Sequence, residues 1–442
     1  MVIKMKNLVK NNKNIIIIFL TYMFSFLLTE QVINKNVFVV MGANYVVHIY
    51  AICILFTAIG YLLFGLLKAK KIFLIISEVI FIICMSTNII VQSGVLNVLF
   101  SILSTLSFGY IGGKVHFQLS EKLGNQNDSG KTIGFSLATA LILQYFTYNY
   151  IKNNYVLLGI ILVSSIILFI FLIKKGTVNV NEEKINNKKF SSSIFVIPIV
   201  IVIIISIICA LQDGVITSLD AKGYMNVYGI GRFSYIIGII GAGFIADTKS
   251  KNNLLIGALC TTLISIAGII FLQNPKEYIL NVITIFLMGS FYVMYFTITF
   301  INLAPFTKNP RLISGMGRVI RSVITALIVV PSEMLFKNDN YNLMIIISVL
   351  LVVVLLVVFY IDINKSFKVK IIKNVDDFLI KYSFTNKEKE ICTLILKDNK
   401  KTREIADYYK ISERSVERHL TSIYEKTGVK SRAELYNTFY NI

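Results

Sequence analysis

The chain has 442 residues, 55% hydrophobic and only 15% charged, with a mean hydropathy of +0.72. These values exclude an ordinary soluble protein and point to a polytopic membrane protein. The formal charge of +20 is no argument for nucleic acid by itself, because most lysines border apolar runs, where the positive-inside rule accounts for them.

Residues 1–13 read as a basic cytoplasmic tail. The apolar run behind them has no small-residue cleavage site, so it reads as a retained first span. Runs long enough to cross ~30 Å of hydrocarbon recur to residue 363. They predict spans near 14–34, 45–67, 71–92, 95–114, 131–152 and 155–173, then 194–216, 224–246, 252–272, 278–302, 311–335 and 342–363. Two sets of six, 14–173 and 194–363, are thus joined by a polar loop, 174–193. Lysine and arginine crowd alternate loops: Lys68, Lys70 and Lys71; Lys114, Lys122 and Lys131; Lys174 to Lys189; Lys308 and Arg311. Both termini are therefore expected on the cytoplasmic side of a bacterial cell membrane. A lysine-rich linker, 364–383, reaches at most ~70 Å and leads to a C-terminal domain at 384–442.

Ionisable groups inside a membrane are costly unless paired, so each is a functional candidate. Glu30, His48, Asp213, Arg232 and Glu333 are the candidates for a ligand pocket or an ion-pair gate, although His48 also fits a boundary position. Glu78 lies within span three. Arg318 and Arg321 read as anchors at the inner interface, and Tyr110, Gln144, Tyr145, Tyr148, Tyr292 and Tyr295 mostly as belt or packing residues. Cys53, Cys84, Cys209 and Cys260 lie in apolar runs and Cys392 on a core helix face. No Cys/His cluster or catalytic loop motif occurs, so no metal, cofactor or enzymatic role is expected.

Six plus six spans with a long central loop resemble the major facilitator superfamily of transporters. The run "GFIADTKSK" after span eight is similar to that family's glycine–aspartate–basic loop motif, with Gly243, Asp247, Lys249 and Lys251 at matching places. The resemblance implies a cytoplasmic latch there. The corresponding loop of the first half, Gly65 to Lys71, keeps the lysines and lacks the aspartate.

The C-terminal domain reads as four short helices. Thr385 and Glu388 form a capping box ahead of Ile391, Leu394 and Ile395. Asn399 suits a turn, and a second helix from Thr402 buries Ile405, Ala406 and Tyr409. After a tight turn, Ser412 caps a third helix over about Glu413–Thr427. Val416, Leu420, Ile423 and Thr427 face inward on it; Arg414, Glu417, Arg418, Thr421 and Glu425 face outward. Gly428 stops it, and Ser431 with Glu434 caps a last helix carrying Leu435, Tyr436 and Phe439. Two helices on a tight turn, the second with a polar outer face, form a helix-turn-helix.

The run from Phe384 to Leu435 resembles the LuxR-type (GerE-type) DNA-binding domain, on Thr385, Glu388, Glu390, Glu404, Ile405, Ala406, Ile411, Ser412, Val416, His419, Ile423, Lys426, Gly428, Val429 and Arg432. Asn399 stands for the usual glycine, Ser415 for threonine and Glu417 for lysine. The resemblance implies double-stranded DNA as partner and dimerisation through the last helix. Arg418 and Thr421 are the expected base-reading residues, with Arg414 and Glu417 at the margin. Thr402, Arg403, Ser415, His419 and Lys426 are expected on phosphates or in support. The whole predicts an all-α protein: a twelve-helix, major-facilitator-like membrane bundle with a small four-helix helix-turn-helix domain. It would be a membrane-embedded one-component transcription regulator sensing an unknown small ligand. The alternative is a transporter with a regulatory or docking tail.

Overall fold

The computed structural model describes residues 2–67, 70–124, 126–174, 193–229, 231–248, 252–398, 400–429 and 431–440; no strand occurs among them. Most of the expected loop 174–193, together with Asn399, Lys249 and Lys251, lies outside the described residues. The chain divides into two units, Met1–Leu355 and Leu356–Ile442.

The first unit holds α1 (Val2–Met41), α2 (Ala43–Leu66), α3 (Lys71–Ile90), α4 (Gly94–Leu123), α5 (Ser129–Tyr150) and α6 (Asn154–Lys174). Then follow α7 (Ser193–Ala221), α8 (Arg232–Ala246), α9 (Asn252–Gly268), α10 (Tyr278–Leu303), α11 (Pro310–Lys337) and most of the apolar part of α12 (Tyr341–Lys381). Each expected span overlaps one helix. Ten helices among the described residues are long and apolar enough to cross a membrane, which makes this unit a multi-pass membrane bundle. The two that fall short are α5 and α8, for different reasons. Helix α5 carries Thr132, Ser136, Gln144 and Thr147, all buried against neighbouring helices. Helix α8 is only 15 residues long, because the first part of the expected span, 224–229, forms turns.

Lipid tails are as apolar as leucine, so helices in a bilayer associate through close packing and polar contacts. Glycine supplies the close packing here. A Cβ on Gly60 of α2 would overlap Leu106 O of α4, and one on Gly109 of α4 would overlap Thr57 O of α2. Between α5 and α8, a Cβ on Gly130 would lie 2.5 Å from Gly243 O. Buried amides supply the polar contacts. Asn36 donates to Asn88 Oδ1 at 2.9 Å, and Asn88 to Ser101 Oγ at 2.8 Å. In the other half Asn281 donates to Gln212 Oε1 at 3.1 Å, and Gln212 to Ser265 Oγ at 2.9 Å.

The second unit contains α13 (Asn386–Asp398), α14 (Thr402–Tyr409), α15 (Glu413–Thr427) and α16 (Arg432–Tyr440). Ile391, Ile395, Ile405, Ala406, Val416, Leu420, Ile423, Leu435 and Phe439 make its core, as the periodicity predicts. Cys392 joins them, and burial pushes its thiol up to about 12. The core also takes Val375, Phe378 and Leu379 from the end of α12, together with Phe384. Phe378 meets Phe439 edge to face at 5.6 Å. Three core residues thus come from the expected linker 364–383, whose residues up to Lys381 belong to α12.

Candidate nucleic-acid interface and membrane cavity

Helices α14 and α15 are joined by a turn whose geometry is local in origin. Lys410 takes the left-handed conformation with φ 52°, and Ile411 N donates to Ala406 O at 3.0 Å. Ser412 Oγ then accepts from Ser415 N at 3.3 Å, capping α15. At the far end Gly428 has φ 73° and Val429 N reaches Tyr424 O at 3.0 Å. Arg414, Glu417, Arg418, Thr421 and Glu425 are all exposed along α15, while Val416, Leu420 and Ile423 are buried. Thr427, expected inward, is half-buried, and its hydroxyl donates back to Ile423 O. Arg403 is exposed, and Thr402, Ser415 and His419 are half-buried.

What holds α15 in place is Glu388. Its Oε2 accepts from Thr385 N at 2.7 Å, and Glu388 N donates to Thr385 Oγ1 at 3.4 Å, which closes the capping box. Its carboxylate also accepts from Ser422 Oγ at 2.6 Å and Lys426 Nζ at 2.6 Å, both on α15. Burial raises the carboxyl pKa, but the hydrogen bonds from Lys426, Ser422 and Thr385 outweigh it and hold the group at about 2. Lys426 is therefore committed to Glu388. Arg432 of α16 donates to Lys400 O at 2.6 Å, tying the last helix to the segment ahead of α14.

The membrane unit contains a cavity of about 140 Å³. Glu30 of α1, Asp213 of α7 and Arg232 of α8 line it, so three of the five ionisable candidates share one site. Glu333 lies elsewhere, buried, accepting from Ser218 Oγ and Lys337 Nζ at 2.9 Å each. His48 is exposed on α2 and is not part of the lining. The reading of Arg318 and Arg321 as interface anchors is corrected: both line the cavity. Arg321 Nη2 pairs with Asp213 Oδ2 at 3.3 Å. Arg318 lies over the rings of Phe26 and Phe296 at 5.6 and 5.5 Å. Arg232 donates to Gln144 Oε1 at 3.1 Å, and its guanidinium faces Tyr228, Tyr235 and Phe286. Asp220 and Tyr50 complete the polar wall. The missed signal was spacing: Ser314, Arg318, Arg321 and Thr325 recur at four, three and four residues, a polar stripe on one face of α11.

The glycine–aspartate loop also has a defined geometry. Asp247 caps α5, its Oδ1 accepting from Gly130 N at 2.7 Å and its Oδ2 from Lys131 N at 2.9 Å, with Lys131 Nζ at 3.4 Å. A carboxylate at a helix N-terminus meets orphan amides and the positive end of the dipole. Gly243 allows the close approach to Gly130. At the corresponding place in the first half, Asn309, which caps α11, donates to Gly65 O at 3.2 Å.

Residues 382–439 match the family model described as "Bacterial regulatory proteins, luxR family". Over 79% of the chain, the fold is similar to that of a bacterial homologue of the iron transporter ferroportin in an outward-facing state, with TM-score 0.52, 13% identity and 98% of that chain covered. It is likewise similar to the human organic anion transporter MFSD10 (TETRAN), with TM-score 0.55 and 10% identity over 78% of this chain and 98% of that one. No curated protein matches the sequence. The chain therefore joins a LuxR-type helix-turn-helix domain to a multi-pass membrane bundle of major-facilitator-like fold.

Proposed function

We propose that this fusion of a LuxR-type domain with a transporter-like bundle is a membrane-embedded, one-component transcription regulator. The observation that carries it is the exposed polar face of α15 on a folded helix-turn-helix, on the same chain as a membrane cavity lined by buried charge. In this reading the cavity binds a small signal molecule and the domain binds promoter DNA. A ligand shifts the output only if the bundle's conformations bind it with different affinity, and a rocking two-half bundle supplies such conformations.

The chain sits in the bacterial cell membrane with both ends in the cytoplasm, in keeping with the lysine-rich alternate loops. Two copies pair through α16 and read paired half-sites. Arg418 and Thr421 contact base edges, with Arg414 and Glu417 flanking them. Arg403, Thr402, Ser415 and His419 hold phosphates, and Lys426 acts through Glu388 to fix the helix.

The test is genome-wide DNA occupancy of the intact membrane protein beside an Arg418→Ala, Thr421→Ala variant, with transcripts of neighbouring genes measured in parallel. Discrete sites lost in the variant support the regulator. Membrane-inserted protein without specific sites overturns it in favour of a transporter with a docking tail. For Arg418→Ala alone, loss of one base contact costs about 1–3 kcal/mol and relaxes preference at that base.

A further inference from the structure

The charges lining the cavity are balanced in number but only partly paired. Three guanidinium groups (Arg232, Arg318, Arg321) face the cavity with three carboxylates (Glu30, Asp213, Asp220). Arg321 and Asp213 form an ion pair at 3.3 Å, although Arg321 Nε–H also lacks an acceptor. Asp220 accepts from the backbone of Val227 at 3.1 Å. Arg318 and Arg232 are only 8% and 9% exposed, make no ion pair among the described residues, and each leaves its Nε–H without an acceptor. Glu30 has no hydrogen-bond or ion-pair partner among the described residues either.

A buried charge without a partner costs several kcal/mol. The rings around Arg318 and Arg232 offset part of that cost through cation–π contacts. A guanidinium fork is matched by a carboxylate, which accepts two parallel N–H bonds. A simple anion would satisfy Arg318 but add charge beside Glu30. A simple cation would satisfy Glu30 and leave both guanidiniums unpaired. Only a ligand carrying both signs answers both and leaves the balance unchanged. The space suits one small guest, about the size that takes a benzene ring, and Ile54, Leu137, Leu141 and Ile216 add an apolar wall.

We propose that the cavity binds a small zwitterion of the free amino acid class, its carboxylate on Arg318 and Arg232 and its ammonium group on Glu30. This rests on the reading of the cavity as the ligand site of the membrane unit. The apolar wall and the small volume favour a small, uncharged, apolar side chain.

The experiment uses full-length protein in detergent micelles. Unfolding is followed with a thiol-reactive dye after the exposed Cys260 has been blocked, because Cys53, Cys84 and Cys209 are buried and become reactive only when the bundle opens. The probes are the common amino acids, each at millimolar concentration. The best one is then compared with its des-amino carboxylate and its decarboxylated amine by equilibrium dialysis. The expected result is a raised unfolding midpoint with at least one amino acid, and binding of both truncated analogues weaker by about tenfold or more, equivalent to about 1.4 kcal/mol. Glu30→Gln should abolish the preference over the des-amino acid, and Arg318→Gln the preference over the amine. No stabilisation by any amino acid, or a des-amino carboxylate bound as tightly as its amino acid, overturns the proposal. The comparison of analogues on the unaltered protein stands even if a variant fails to fold. Amino acid binding without specific DNA occupancy would remove the regulator and keep the zwitterion site; the reverse would remove the zwitterion alone.

Discussion

Replacing Glu388 by glutamine keeps the shape of the side chain and removes the charge that Lys426, Ser422 and Thr385 converge on. A carboxyl held at about 2 against an ordinary 4.5 corresponds to about 3 kcal/mol between its two protonation states. Lys426 is a third exposed, so solvent screening reduces this to about 1–2 kcal/mol. The sign follows from the depressed pKa. The stabilisation is complete above pH 4.5 and is lost as pH falls towards 2, where the folded carboxylate is protonated. Urea unfolding of a soluble fragment covering 366–442, followed by circular dichroism, provides the assay. Glu388→Gln should be less stable by about 1–2 kcal/mol at pH 7, and the gap should close progressively between pH 4.5 and 2. A variant within about 0.3 kcal/mol of the parent at pH 7, or a gap that stays constant with pH, would refute the assigned role.

Three other perturbations test the packing. Phe378→Ala removes a fully buried ring from the core of the second unit and should cost about 3–5 kcal/mol in the same urea assay; a loss below about 1 kcal/mol would mean that α12 does not contribute to that core. Gly109→Val would force a branched side chain against Thr57 of α2, and should lower the dye-detected unfolding temperature, whereas Gly159→Val, with open space around it, should not. Asp213→Asn leaves Arg321 in the cavity wall without its carboxylate and should cost about 3–5 kcal/mol; Asp213→Asn with Arg321→Gln should recover part of that, and a loss in the double variant equal to the sum of the two single losses would show that the pair is not coupled.

Legibility from sequence followed how local each determinant is. The caps and stops of α13 to α15 are set within a few residues, by Thr385 with Glu388, by Ser412 and by Gly428, and the structure shows each of them. The apolar spans were equally plain, being runs. Helix α5 falls short by hydropathy, because Thr132, Ser136, Gln144 and Thr147 on it are buried among helices. Arg321 reads as an interface anchor from its place near the inner end of span eleven; its partner Asp213 is 108 residues away, which no local pattern reveals. The start of the second unit was blurred for a further reason. Val375, Phe378 and Leu379 belong to its core although they lie in the lysine-rich stretch 364–383, whose composition marks it as a linker.

That shared helix also limits how the DNA-binding domain could be freed by a protease. A cut at the family boundary, near residue 382, would strip Val375, Phe378 and Leu379 from beneath Phe439 and Ile391. The fragment would keep its recognition helix and lose part of the floor it stands on. A stable soluble fragment must therefore retain residues from Val375 onward. Any processing enzyme that yields a long-lived product has to act in the stretch before it, and cleavage after it would mark the domain for degradation.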